Sequence, residues 1–198
     1  MGDFKIYDEV LPLDELKQLL EIKEIDFDGD DNALLSILKY KVDELAGLLG
    51  VDLLPVEREY VIPRFKSNKI FLNFYPVSSV SEITIDSKII GEDSFVVNKN
   101  IGVIYLDKIM NGMLGVDYTT KISDKEFETA IKPLLLDMVV YDLINKGNKI
   151  NEGVMSSIHE GDVSISYDTG SSLGNRIYNR INDLKLKYSM YTAKAKLL

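Results

Sequence analysis

Any chemistry in this chain would have to begin from very few side chains. His159 is its single histidine and cysteine is absent, so thiolate nucleophiles, thiolate metal sites and disulfides are excluded. A Ser–His–Asp arrangement could use His159, but that residue lies beside an expected Gly161-Asp162 turn with no G-x-S-x-G element near it. It reads as a surface histidine. The run "DFDGDDN", residues 26–32, alternates Asp26, Asp28 and Asp30 as a calcium loop would. Gly29 falls at the fourth place instead of the sixth, and Ile37 stands at the twelfth, where a bidentate Glu is needed. The run is an acidic loop that caps the next helix. Paired carboxylates for glycoside hydrolysis are conceivable among 32 acids, but no spacing selects a pair. Tyr60, Phe71, Phe74 and Tyr75 could stack sugars or bases, with Arg58, Arg64, Lys66 and Lys69 as the basic residues nearby. Sheet core explains these aromatics better. No catalytic residue, metal or cofactor is expected.

The elements that would position such residues follow from periodicity. "PLDELKQLLEI" places Leu13, Leu16, Leu19 and Leu20 at helical spacing, and a second helix over about 32–49 carries Leu34, Leu38, Val42, Leu45 and Leu49. Asp31 is its expected N-cap and Gly50 lies just past its end. The two helices read as an antiparallel hairpin that needs a further partner. From Glu57 to Thr120 the period becomes two. "EREYVI", "KIFLNF", "VSEITI", "SFVVN", "GVIYL" and "MLGVDYTT" predict short strands of an antiparallel sheet or sandwich. Within it, "GEDSFVVNKNIGVIYL" has neither a GxGxxG pattern nor a following helix, so its glycines belong to a hairpin and not to a phosphate-binding loop.

"SDKE", residues 123–126, has capping-box form and opens a helix with Phe127, Ile131, Leu134, Leu135, Met138 and Tyr141 on its apolar side. Pro133 either kinks that helix or marks its true first turn. "KGNKINEGVMSS" reads as a mobile linker. "HEGDVSISY" reads as one more strand or hairpin. Ser171 or Ser172 then caps a last helix with Leu173, Ile177, Ile181, Leu184 and Tyr188 on one stripe.

The balance of 45% hydrophobic and 28% charged residues fits a folded, soluble protein. No apolar run approaches the ~20 residues that span a bilayer. The opening "MGDFKIYDEV" has no basic stretch followed by an apolar core, so no signal peptide is expected. Ile6 stands where a myristoylation signal needs Ser or Thr. The lack of cysteine fits a reducing compartment. Net charge is −9, unevenly placed. From Ser171 onward six cations (Arg176, Arg180, Lys185, Lys187, Lys194, Lys196) face one acid, Asp183, while the first 170 residues carry 17 basic and 31 acidic groups. An acidic body repels DNA phosphates, so general nucleic-acid binding is disfavoured.

In their order, these motifs resemble the head–tail connector, or adaptor, family of tailed bacteriophages and prophages. The likeness runs through "LDELKQLLEI", "DFDGDD", "NALLSILKYKVDELAGLLG", "FYPVSSVSEITID", "SFVVNKNIGVIYL", "AIKPLLLDMVVYDLI" and "GDVSISY". It covers nearly the whole chain, and its specificity comes from order, since each motif is degenerate. The tyrosine- and lysine-bearing C-terminus is longer than the family pattern. The resemblance implies an α+β fold, mainly helical, with a small inserted antiparallel β region. Residues 1–147 would be a core connector domain, and 148–198 a linker, β segment and docking helix with its tail. It also implies a non-enzymatic subunit of a ring, expected to be a dodecamer, under the portal of the virion, assembled in the host cytoplasm. The partners would be further copies of the chain, the portal protein and a downstream neck, stopper or tail-completion protein. DNA would pass through the lumen without sequence-specific binding, and no membrane is involved. Portal contact would fall on Arg176, Ile177, Arg180, Ile181, Leu184, Lys185, Lys187, Tyr188, Tyr191, Lys194 and Lys196. The competing readings are a β-rich carbohydrate- or protein-binding module of a virion and a carboxylate-dependent hydrolase.

Overall fold

The computed structural model describes residues 11, 13–22, 25, 27, 29–147, 155–160, 163–168 and 172–196. They cluster into two compact units, Met1–Gly50 with Lys125–Lys185, and Val51–Asp124 with Leu186–Leu198.

In the first unit, α1 (Leu13–Ile22) and α2 (Asp31–Leu49) form where the leucine stripes predict them, and they touch. Leu16 and Leu20 of α1 and Leu34, Leu38, Val42 and Leu45 of α2 are buried. The cap lies one residue earlier than expected. Asp30, with extended backbone, accepts the Ala33 N–H at 2.8 Å, while Asp31 begins the helix. Gly50 closes α2 in the left-handed conformation, φ 64, with its N–H on the Ala46 carbonyl. That geometry suits a residue without Cβ.

The next helical stretch starts right after Ser123. One α-turn, Asp124–Glu126, leads into a π-turn, Phe127–Ile131, and then into α3 (Lys132–Gly147). Pro133 explains the π-turn. Lacking an N–H, it cannot bond back to the Thr129 carbonyl. The backbone widens just before it, with the Lys132 N–H reaching the Phe127 carbonyl five residues back. Pro133 thus sits in the first turn of the regular α3. Strands β6 (Met155–Glu160) and β7 (Val163–Asp168) pair antiparallel, so "HEGDVSISY" belongs to a hairpin. The hairpin and α3 both contact α2. The linker read as mobile falls largely on residues 148–154, outside the described residues. Helix α4 (Ser172–Lys196) completes the helical set.

The second unit overturns the expectation of a mainly helical chain with a small β insert. About 48% of the structure is helix and about 33% strand, and a five-stranded antiparallel sheet forms the core of its own unit. Strands β1 (Val56–Phe71), β2 (Val77–Ile85), β3 (Lys88–Ile89), β4 (Phe95–Asn98) and β5 (Val103–Thr120) make it. The order is β1-β5-β2-β3, with β4 also on β5. The run "EREYVI" and the "KIF" of "KIFLNF" belong to one 16-residue strand, and the "VIYL" of "GVIYL" and "MLGVDYTT" to one of 18. Pro63 and two register shifts between β1 and β5, at Ile62/Phe65 and Ser67/Lys69, make the period-two pattern look broken when the strands are continuous.

The hairpin at residues 91–106 is present. Phe95 pairs with Leu106 and Asn98 with Val103 across β4 and β5. Its turn ends at Gly102, φ 63, whose carbonyl accepts the Leu72 N–H at 2.8 Å. Val103 and Ile104 are wholly buried. The sheet unit holds a core that includes Phe65, Ile70, Ile83, Ile104, Leu114, Val116 and Tyr118.

Candidate interaction surface

Helix α4 was expected to offer an apolar stripe and a cationic face to a portal. Up to Lys185 much of that stripe faces inward on its own chain. Ile177 and Ile181 are fully buried, and Tyr188 further along is buried too. Arg176 makes a two-pronged contact with Asp137 of α3, Nε to Oδ2 at 3.1 Å and a terminal nitrogen to Oδ1 at 2.8 Å. Arg180 reaches the same carboxylate at 3.3 Å and donates to the Ala130 carbonyl at 3.2 Å. These charge-assisted bonds fasten α4 to the preceding helical stretch. Leu184 and Lys185 are half-buried, Lys187 is exposed with its ammonium 5.8 Å from the Tyr188 ring, and Leu186 is exposed. Tyr191, Lys194 and Lys196 lie on the last turns of α4, and their side chains fall outside the described residues. Leu186, absent from the expected set, carries no sequence signal. An isolated leucine off the stripe reads like any helix former.

The residues with chemical potential are placed as follows. His159 lies on β6 opposite Ser164, with its side chain outside the described residues. Asp26 and Asp28 are also outside them. Asp30 is engaged as a helix cap, and Asp31 holds Lys17 at 2.6 Å, a hydrogen bond that raises the Lys17 pKa. Among the described residues no group of three or more His, Cys, Asp or Glu side chains could hold a metal ion. No helix of these residues is long and apolar enough to cross a membrane.

Two charged clusters are structural. In the helical unit Lys41 of α2 is buried between Glu44 at 2.8 Å and Asp142 of α3 at 3.0 Å. Burial pulls the Lys41 pKa down, but the hydrogen bond and charge of Glu44, with Asp142, outweigh it and hold the pKa above the ordinary lysine value. In the sheet unit Asp52 accepts from Arg58 at 2.7 Å and from the buried Thr120 hydroxyl at 2.5 Å, and the Arg58 guanidinium lies 3.7 Å from the Phe74 ring centre. Burial raises the neighbouring Tyr118 phenol, and a hydrogen bond with the Phe74 backbone opposes it.

What remains is the outer face of the sheet, opposite its core. Glu57, Glu59 and Asp117 line an open groove there with Arg58, Ser81, Tyr118 and Thr119. Glu59 and Asp117 are direct cross-strand partners. Both are exposed on an open face.

With this geometry in view, comparison with solved structures is informative about fold. A chain from the neck of an empty gene transfer agent particle, computed with C6 symmetry, matches with a TM-score of 0.52 at 15% identity. The match covers 75% of this chain and 84% of that one. The fold is shared. A chain from the virion of a native gene transfer agent particle gives a TM-score of 0.47 at 12% identity, over 75% of this chain and 83% of its own. No family model and no curated protein matches the sequence.

Proposed function

We propose that this chain is a structural, non-enzymatic neck subunit of a phage-like particle, placed where the DNA-filled head meets the tail. The observation that carries the reading is the fold shared with a neck chain over three quarters of this chain. The order of motifs that resembles head–tail connectors points independently the same way. More finely, the chain is a connector that forms a ring beneath the portal and leaves a channel for DNA. Twelve copies are compatible with the sixfold symmetry applied to that neck, since twelve divides into six equivalent pairs. The C-terminal segment contacts the portal. With Ile177 and Ile181 committed to their own chain, the contact uses Lys185, Leu186, Lys187 and residues 190–198.

The test is the mass of the purified protein alone and after mixing with a portal, joined to electron microscopy of the mixture. Ring-shaped assemblies on one end of the portal are expected. A protein that neither forms rings nor binds the portal under any mixing ratio sinks the reading.

A further inference from the structure

The outer face of the sheet is electrically split along β1. Glu57 and Glu59 occupy its first third, with Asp117 beside them on β5, and Arg64 and Lys66 follow. All five are exposed, and none makes an ion pair with another described residue. Glu59 opposite Asp117 is a like-charge cross-strand pair, which is unfavourable in isolation. Between the acidic and basic parts Val61 is 48% exposed, and Met113 of β5 is 47% exposed. The shift between Ile62 and Phe65 changes the parity of β1, so odd-numbered Glu57, Glu59 and Val61 share the outer face with even-numbered Arg64 and Lys66. On its other side β1 ends the sheet.

We infer that this face binds a second copy of the same chain, with the two β1 strands antiparallel and centred near Val61. In that orientation Glu57 and Glu59 of each copy meet Lys66 and Arg64 of the other, and Val61 and Met113 supply the apolar centre. The parallel orientation would set acid on acid. Pro63 and the two register shifts guard the free edge against indiscriminate strand addition, so the contact is made by side chains of the face. The pair is isologous and closes at two copies. The inference does not rest on the neck reading.

Charge reversal tests it on the full chain. At low salt the wild type is expected to show reversible pairing by analytical ultracentrifugation, weakening as salt is added. Glu57→Lys and Lys66→Glu, each folded by circular dichroism, should each weaken pairing about tenfold or more. Mixing the two variants should restore it. The lysine introduced at position 57 of one then meets the glutamate introduced at position 66 of the other, and the unaltered Lys66 and Glu57 meet each other. The double variant in one chain should pair like the wild type. A wild type that stays monomeric, single reversals that leave its mass unchanged, or a mixture that does not recover would each overturn the inference. So would binding of duplex DNA by the wild type that Lys66→Glu abolishes and Glu57→Lys does not, since the basic half would then serve nucleic acid.

Discussion

Lys41 shows how far a single side chain can be committed in this structure. Its ammonium is nearly inaccessible and bridges Glu44 and Asp142. Lys41→Met should therefore cost about 3–5 kcal/mol, since it strands the buried Glu44 carboxylate. A Lys41→Met/Glu44→Leu double variant should recover part of that loss in urea denaturation. The pH dependence has a definite sign. A lysine whose pKa is raised on folding contributes fully below its unfolded value of ~10.4. That contribution disappears as pH climbs through the higher folded value. The wild type should lose stability above about pH 10.4 more steeply than the double variant, and equal slopes would remove Lys41 as the cause. Val103 is a simpler case. It is wholly inaccessible, so Val103→Asp should cost several kcal/mol through an unpaired buried charge. A variant with unchanged midpoint would take Val103 out of the core. Sequence alone announced Val103 through alternation, but not the Lys41 triad. Glu44 is three residues away on the same helix, whereas Asp142 arrives from a helix about a hundred positions later.

At the scale of elements, two glycines separate backbone strain from crowding. Gly50 and Gly102 both have positive φ, 64 and 63. An added Cβ at Gly50 meets nothing, while one at Gly102 comes 3.1 Å from the Tyr75 Cβ. Gly50→Ala should thus cost only the left-handed penalty, about 1–2 kcal/mol, and Gly50→Asn less. Gly102→Ala should cost more than Gly50→Ala, and thermal melts of the three variants would show that order. The reverse order would mean that the turn next to Tyr75 relaxes freely. Helices α1 and α2 were legible because leucines repeat on one face and a glycine ends the second. Their cap was misplaced by one because "DGDD" offers adjacent aspartates with equal capping chemistry. The long strands were not legible as such. Pro63, "KSNK" and "DKIMNG" carry the composition of turns, and only pairing with a neighbour keeps such residues extended.

For the molecule as a whole, an apolar stripe on a helix does not say whose surface it covers. Leu173, Ile177, Ile181, Leu184 and Tyr188 read identically whether they seat against a portal or against their own chain. The structure buries Ile177, Ile181 and Tyr188 and binds Arg176 and Arg180 to Asp137. On the proposed function, portal docking would then rest on the C-terminal segment beyond these buried positions. Truncation after Ser189 tests the assignment, because it keeps every one of those inward contacts and removes Lys194 and Lys196. The truncated protein should melt close to the full chain. It should bind portal more weakly and with a shallower salt dependence, since exposed charges act mainly on association rate and screening. Arg176→Gln is the companion variant. It should lower the melting temperature modestly by removing the bond that fastens α4 to α3, and leave portal affinity nearly intact at temperatures where the protein is folded. Unchanged affinity and salt slope on truncation would confine docking to residues before 190. A large loss of affinity in folded Arg176→Gln would place this arginine at the portal contact in addition to its bond with Asp137.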